Sequence, residues 1–124
     1  MENNQSSKSL SVNKRQTGTS YERKAEEYLI EKGYTILERN FRCRSGELDL
    51  IAKDGEYICF VEVKYRATNA YGNPLEAVDY RKQLQIRKVA KFYLMKQKLG
   101  EWTPCRFDVI GFCGEEMVHI EHAF

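Results

Sequence analysis

The run Gly46-Glu47-Leu48-Asp49-Leu50-Ile51-Ala52-Lys53-Asp54-Gly55-Glu56-Tyr57-Ile58-Cys59-Phe60-Val61-Glu62-Val63-Lys64 places a β-rich segment on each side of an Asp-Gly pair. That pattern predicts two antiparallel strands joined by a tight turn. With the turn at 54–55, or a four-residue loop over 53–56, Lys53 faces Glu56 and Glu47 faces Glu62. Asp49 then lies opposite Phe60, on the diagonal from Glu62. Side chains two apart share a face, so Leu48, Leu50, Ala52, Tyr57, Cys59, Val61 and Val63 form a buried face. The other face carries Ile51, Ile58 and Phe60 near the turn and Glu47, Asp49, Glu62 and Lys64 at the far end.

Diagonal partners on one sheet face have α-carbons about 7–8 Å apart, so their carboxylates can reach one ion between them. Without a counterion the cluster is unfavourable, because two like charges about 4 Å apart repel by about 4 kcal/mol at an effective dielectric of about 20. A divalent cation removes that objection. Mg2+ or Mn2+ prefers carboxylate, carbonyl and water oxygens and keeps positions open to phosphate. An ammonium at Lys64 suits an attacking water or the charge that develops on a phosphorus centre. The competing reading is a Glu62–Lys64 ion-pair ladder on a solvated sheet face.

Outward from the hairpin, Tyr21, Ala25, Tyr28 and Leu29 form a helical stripe from Thr19 to about Lys32, with Gly33 as its stop. A short strand at residues 34–37 leads into a basic loop with Arg39, Arg42 and Arg44. Downstream, Asn73-Pro74-Leu75-Glu76 reads as a capped helical start. A longer helix runs from about Tyr80 to Lys98 with Ile86, Val89, Ala90 and Tyr93 on one face, followed by strands at 106–111 and 117–121. This order predicts an α/β fold, a mixed central sheet flanked by helices. Residues 1–17, rich in Ser, Asn, Gln and Lys, read as a disordered tail before one domain over 18–124.

The chain has 124 residues, 42 % hydrophobic and 12 % aromatic, which excludes an intrinsically disordered protein. No apolar run approaches the length of about 20 residues that spans a bilayer, and the first residues lack a secretory pattern, so a cytoplasmic place is expected. Cys43, Cys59, Cys105 and Cys113 have no metal-type spacing and read as reduced, mostly buried thiols. The formal charge is +2, and residues 1–17 hold all of it, with Lys8, Lys14 and Arg15 against Glu2. Any site for a polyanion is therefore local.

Gly46 to Ala52, followed by Phe60 to Lys64 and Arg66, resembles the YraN-like family of predicted bacterial nucleases, of the restriction-endonuclease-like PD-(D/E)xK superfamily. The similarity spans residues 18–124 and continues through Tyr71-Gly72, Ala77-Val78, Lys82, Tyr93-Leu94, Cys105 to Ile110 and Ile120 to Phe124. The resemblance implies a restriction-endonuclease-like core in which Asp49 and Glu62 hold a metal and Lys64 is the active-site lysine. Branched-DNA resolvases of the superfamily add a glutamate from the first helix, and Glu22 stands in that place. Tyr21 replaces the glycine usual before it.

Glu22 is either that auxiliary ligand or the third position of a capping box under Thr19. Glu47 is a further auxiliary metal ligand. Between Tyr80 and Lys98 stand seven basic residues and no acid. Arg87, Lys88 and Lys91 read as contacts to a phosphate backbone, with ordinary solubility as the alternative. Lys82, on the apolar side of its helix, points either into the cleft or snorkels from the core edge. Arg44 and Arg66 read as further backbone contacts, with ordinary solvation as the alternative. Tyr65 and Tyr71 suit base stacking but read as packing, and His119 and His122 as structural rather than zinc-binding. The function expected is Mg2+- or Mn2+-dependent endonucleolytic cleavage of DNA, structured or branched. Oligomeric state is left open; by analogy with resolvases a branched substrate would suit a homodimer with two active sites. The rival is an inactive nucleic-acid-binding or scaffold protein; a third reading is regulatory protein binding near Trp102.

Overall fold

Both faces of the central hairpin are buried, which makes the domain three-layered. The structure, a computed structural model, describes residues 20–66 and 78–124. The proposed tail, Gly18, Thr19, Tyr71 and the helical start at Asn73-Glu76 lie outside the described residues. A helix over residues 20–31 (α1) precedes β1 (Thr35–Cys43), β2 (Gly46–Asp54) and β3 (Tyr57–Arg66). Then come α2 (Tyr80–Lys96), β4 (Cys105–Cys113) and β5 (Glu116–Ile120). The strands lie in the order β1-β2-β3-β4-β5, antiparallel except for β3 and β4, which α2 connects in parallel. This mixed sheet, flanked by two helices among the described residues, is an α/β, restriction-endonuclease-like core.

Each helix covers one face. α1 buries Ala25 and Leu29 against Leu50, Ala52, Cys59, Val61 and Ile110. α2 buries Ile86, Val89, Ala90 and Tyr93, the four residues its periodicity selects, against Phe41, Leu48, Ile51, Ile58 and Phe60. Its amino end is capped by Asp79, whose carboxylate accepts the Lys82 N–H at 2.8 Å.

Three local expectations are corrected. The hairpin turn is Gly55-Glu56, because Asp54 still pairs with Tyr57 in the ladder. Gly55 has φ +61° and Glu56 does not join the positive-φ residues, the pattern of a II′ turn with glycine first. The register therefore moves by two, and Glu47 does not face Glu62. Second, β1 runs to Cys43, so Arg39 and Arg42 are strand residues; Arg39 pairs with Glu26 on α1 and Arg42 with Glu47. Third, Leu48 does not share a face with Leu50. It packs under α2, whereas Leu50 packs under α1.

The cause of that third difference is Asn40. It adopts φ +50° between the pairs Arg39–Leu50 and Phe41–Leu48, which puts it opposite Asp49. Asparagine tolerates the left-handed region better than most residues. The alternation breaks there on both strands: Arg39 turns to α1, Phe41 to Tyr93 of α2. Asp49 sits at the break.

Candidate active site

The β2–β3 ladder ends at the pair Leu50–Val61. Counting one step further brings Asp49 across from Glu62, and the strands no longer pair by backbone there. Instead Asp49 Oδ2 accepts the Val63 N–H at 2.7 Å. A side chain thus replaces a main-chain acceptor, satisfies the buried N–H and fixes one carboxylate beside the other.

Glu62 points to the α2 side of the sheet and is 4 % exposed. Its Oε2 lies 3.4 Å from Lys64 Nζ and 3.4 Å from Lys82 Nζ. Of the two readings left open for Lys82, the structure shows the side chain meeting a carboxylate. Asp49 opens instead toward α1, into a cavity of about 420 Å³ lined by Glu22, Arg23, Glu26, Arg39, Asn40 and Asp49, among others. Burial, and next the charge of Glu62, push the Asp49 carboxyl up to about 7. Glu22 is also raised, by burial and then by Glu47, while hydrogen bonds with the Asp49 and Asn40 side chains pull it back.

Asp49 and Glu22 hydrogen-bond on the α1 side, Glu62 meets Lys64 on the α2 side, and the charges of Glu62 and Lys64 reach Asp49 where the strands part, so the four are neighbours from opposite faces and not from the one face that the sequence predicts. Glu47 stands outside them, 3.5 Å from Arg42 Nε, although its charge still reaches Glu22. Among the described residues no three His, Cys, Asp or Glu side chains form a ready cation cage. The site offers oxygen donors only, the ligand type of hard cations. It does not fit a closed zinc site.

The basic residues spread along one side. Arg81 and Lys88 line a smaller cavity with Ser45, Leu84 and Gln85, next to the exposed Arg44. Lys91 is exposed, and Arg87, also exposed, lays its guanidinium 4.7 Å from the Phe107 ring centroid. Arg66 is half-buried at the exit of β3. His119 sits between Asp108 at 2.8 Å and Tyr28 at 3.0 Å, and the His122 ring stands edge-on to Tyr57. Sequence reasoning passed over Asn40. No local signal marks it, because the stretch from Arg39 to Arg44 reads as a loop, where an asparagine is ordinary.

The model of the uncharacterised protein family UPF0102 matches residues 21–112. The chain belongs to UPF0102. The match contains every carboxylate described above together with Asn40, Lys64 and Lys82, and UPF0102 is the family that the YraN-like resemblance named. A UPF0102 protein of Lachnoclostridium phytofermentans is 48 % identical over 113 residues, covering 91 % of this chain and 96 % of that one. One from Clostridium kluyveri is 56 % identical over 86 residues, 69 % and 70 % of the two chains. One from Alkalilimnicola ehrlichii is 43 % identical over 109 residues, 88 % and 86 %. Among the described residues of this UPF0102 chain, no helix is long and apolar enough to cross a membrane.

Proposed function

We propose that the protein is a Mg2+- or Mn2+-dependent endonuclease that hydrolyses phosphodiester bonds in DNA, structured or branched, in the cytoplasm. The observation that carries this reading is the unfavourable meeting of Asp49 and Glu62 where β2 and β3 part. Burial and the charge of Glu62 raise the Asp49 carboxyl to about 7, a perturbation of the kind that gathers at functional sites and that a bound cation would relieve. Asp49 and Glu62 would hold the metal, with Glu22 as an auxiliary ligand and Glu47 as an outer one. Bound there, the ion supplies Lewis acidity and lowers the pKa of a coordinated water. Lys64 orients and polarises the attacking water. Lys82, on the same Glu62 oxygen, aims that carboxylate. Arg44, Arg66, Arg87, Lys88 and Lys91 hold the backbone on the α2 side. They carry no base-reading geometry of their own, which favours recognition by shape over sequence.

A second reading rests on the two ammoniums at Glu62, which already balance it: the acids would then be a structural cluster in a protein that binds nucleic acid without cutting it. Cleavage by wild type and Glu62→Gln, purified identically and assayed with Mn2+ on end-labelled duplex, single-stranded, flapped and four-way DNA, separates the two. Wild type is expected to cut at least one substrate, with Glu62→Gln slower by about a hundredfold or more and EDTA abolishing the reaction. Equal behaviour of the two proteins would remove the enzyme and leave the binding module.

A further inference from the structure

Three aromatic rings run from the core to the surface beside the carboxylates. Phe112 on β4 is buried, and the parallel pairing of β3 with β4 sets Tyr65 directly beside it. Tyr21, on α1, lies over Tyr65 with ring centroids 4.2 Å apart and planes inclined by 20°. It also leans on Phe112, at 4.9 Å and 50°. Tyr65 keeps 43 % of its surface open to solvent. Lys24 brings its ammonium to 5.1 Å from the Tyr21 ring centroid.

The placement ties these rings to the site. Tyr65 follows Lys64 in β3, and Tyr21 precedes Glu22 in α1. Neighbouring strand residues point to opposite faces, so the rings sit on the α1 side of the sheet, the side on which the cavity at Asp49 and Glu22 opens. Packing alone accounts for a tyrosine that is covered. Here one ring is backed by a second, braced by a third, and still exposed.

A fixed ring with an open surface and a cation nearby matches the chemistry of a nucleobase and its phosphate. A base inside a duplex has both faces occupied by its neighbours. Only an unpaired or splayed base has a face to offer.

We infer that Tyr65, backed by Tyr21 and Phe112, is a stacking platform for one unpaired nucleobase next to the phosphodiester bond handled at Asp49 and Glu62. This rests on the nuclease reading and narrows its substrate to strands that are single-stranded at that point, such as a flap or the mouth of a branch. Lys24 meets the phosphate attached to the stacked base.

The test is equilibrium binding in EDTA, where hydrolysis does not interfere. The probes are a flapped DNA with 2-aminopurine at the first unpaired position, the same DNA abasic at that position, and a fully paired duplex. Wild type is expected to quench the 2-aminopurine and to bind the base-containing flap about tenfold more tightly than the abasic one. Tyr65→Phe keeps the preference and Tyr65→Leu loses it, with duplex affinity unchanged in both. Equal affinity of wild type for the base-containing and abasic flaps at every tested position of the unpaired strand overturns the platform, as does absence of binding to all three DNAs. The abasic comparison needs no substitution, so a poorly folded Tyr65→Leu does not blunt it. Cleavage of the same flap with Mn2+ keeps the two readings apart. Discrimination without cleavage retains the platform and removes the hydrolase, and cleavage without discrimination does the reverse.

Discussion

Asp49, half-buried, and Asp108 have opposite electrostatic surroundings. Asp108 is fully buried; burial works against its charge, but hydrogen bonds with His119 and from Arg106 hold it below the ordinary carboxylate range. Arg106 reaches it through Nε at 3.1 Å and Nη2 at 2.9 Å, and the His122 N–H adds a third donor group. Asp49 has one backbone N–H, two carboxylates and the charge of Lys64 for neighbours, and burial with the charge of Glu62 pushes it up to about 7. The consequence for stability has a definite sign. The folded protein holds a proton on Asp49 up to about pH 7, whereas the unfolded chain loses it near pH 4. Stability from this group is therefore full below the unfolded value and is lost as pH rises through about 7. In EDTA, wild type should melt lower at pH 8 than at pH 5.5. Asp49→Asn should flatten that slope and melt higher than wild type at pH 8, by about 5 °C. A variant that is less stable than wild type at pH 8 would show that the carboxylate is compensated in a way this geometry does not contain.

At the scale of elements, the β1–β2 turn fits against α2 with no room to spare. Gly46 has φ +148°, and a methyl group there would stand 2.6 Å from Gln85 Nε2 and 2.9 Å from its Cδ. Gly46→Ala should therefore cost about 1–3 kcal/mol in denaturant unfolding, from backbone strain and crowding together. A smaller penalty would mean that Gln85 swings clear. The sequence makes α1 and α2 legible because a 3.6-residue period survives in their apolar positions, Ala25 and Leu29 in one and Ile86, Val89, Ala90 and Tyr93 in the other. The hairpin is legible too, and so is the closeness of Asp49, Glu62 and Lys64. The register is not. Asp-Gly ordinarily fills the centre of a turn, but here Arg106 Nη1, from β4, donates to Asp54 Oδ2 at 2.9 Å and Asp54 stays in the ladder. A partner 52 residues away leaves no local trace. The backbone of Asn40 and the ring stack at Tyr65 are hidden for the same reason, since each is set by what packs across the sheet.

Over the whole molecule, twenty Lys and Arg nearly balance eighteen Asp and Glu, so function depends on how the charges are sorted. The acids of the site gather at the parting of β2 and β3, and the exposed side of α2 is basic. On the nuclease reading, Lys88 and Lys91 meet phosphates and no bases. Replacing both with alanine should weaken binding to every DNA by a similar factor. It should also reduce the slope of log affinity against log salt by about two, with little change in melting temperature. Arg87→Ala should behave differently and lower stability, because its guanidinium also lies over Phe107 and Phe124. A substrate-dependent loss on removing Lys88 and Lys91 would mean that they read shape. The kink at Asn40 has one more effect. Among the described residues β1 is the outer strand on its side of the sheet, nine residues long, and a flat strand of that length would invite a second chain to pair along it. The positive φ at Asn40, the register shift between Ile36 and Glu38, and the charges of Glu38, Arg39 and Arg42 break up that border. The distortion that sets Asp49 in place also guards the sheet against edge-to-edge aggregation.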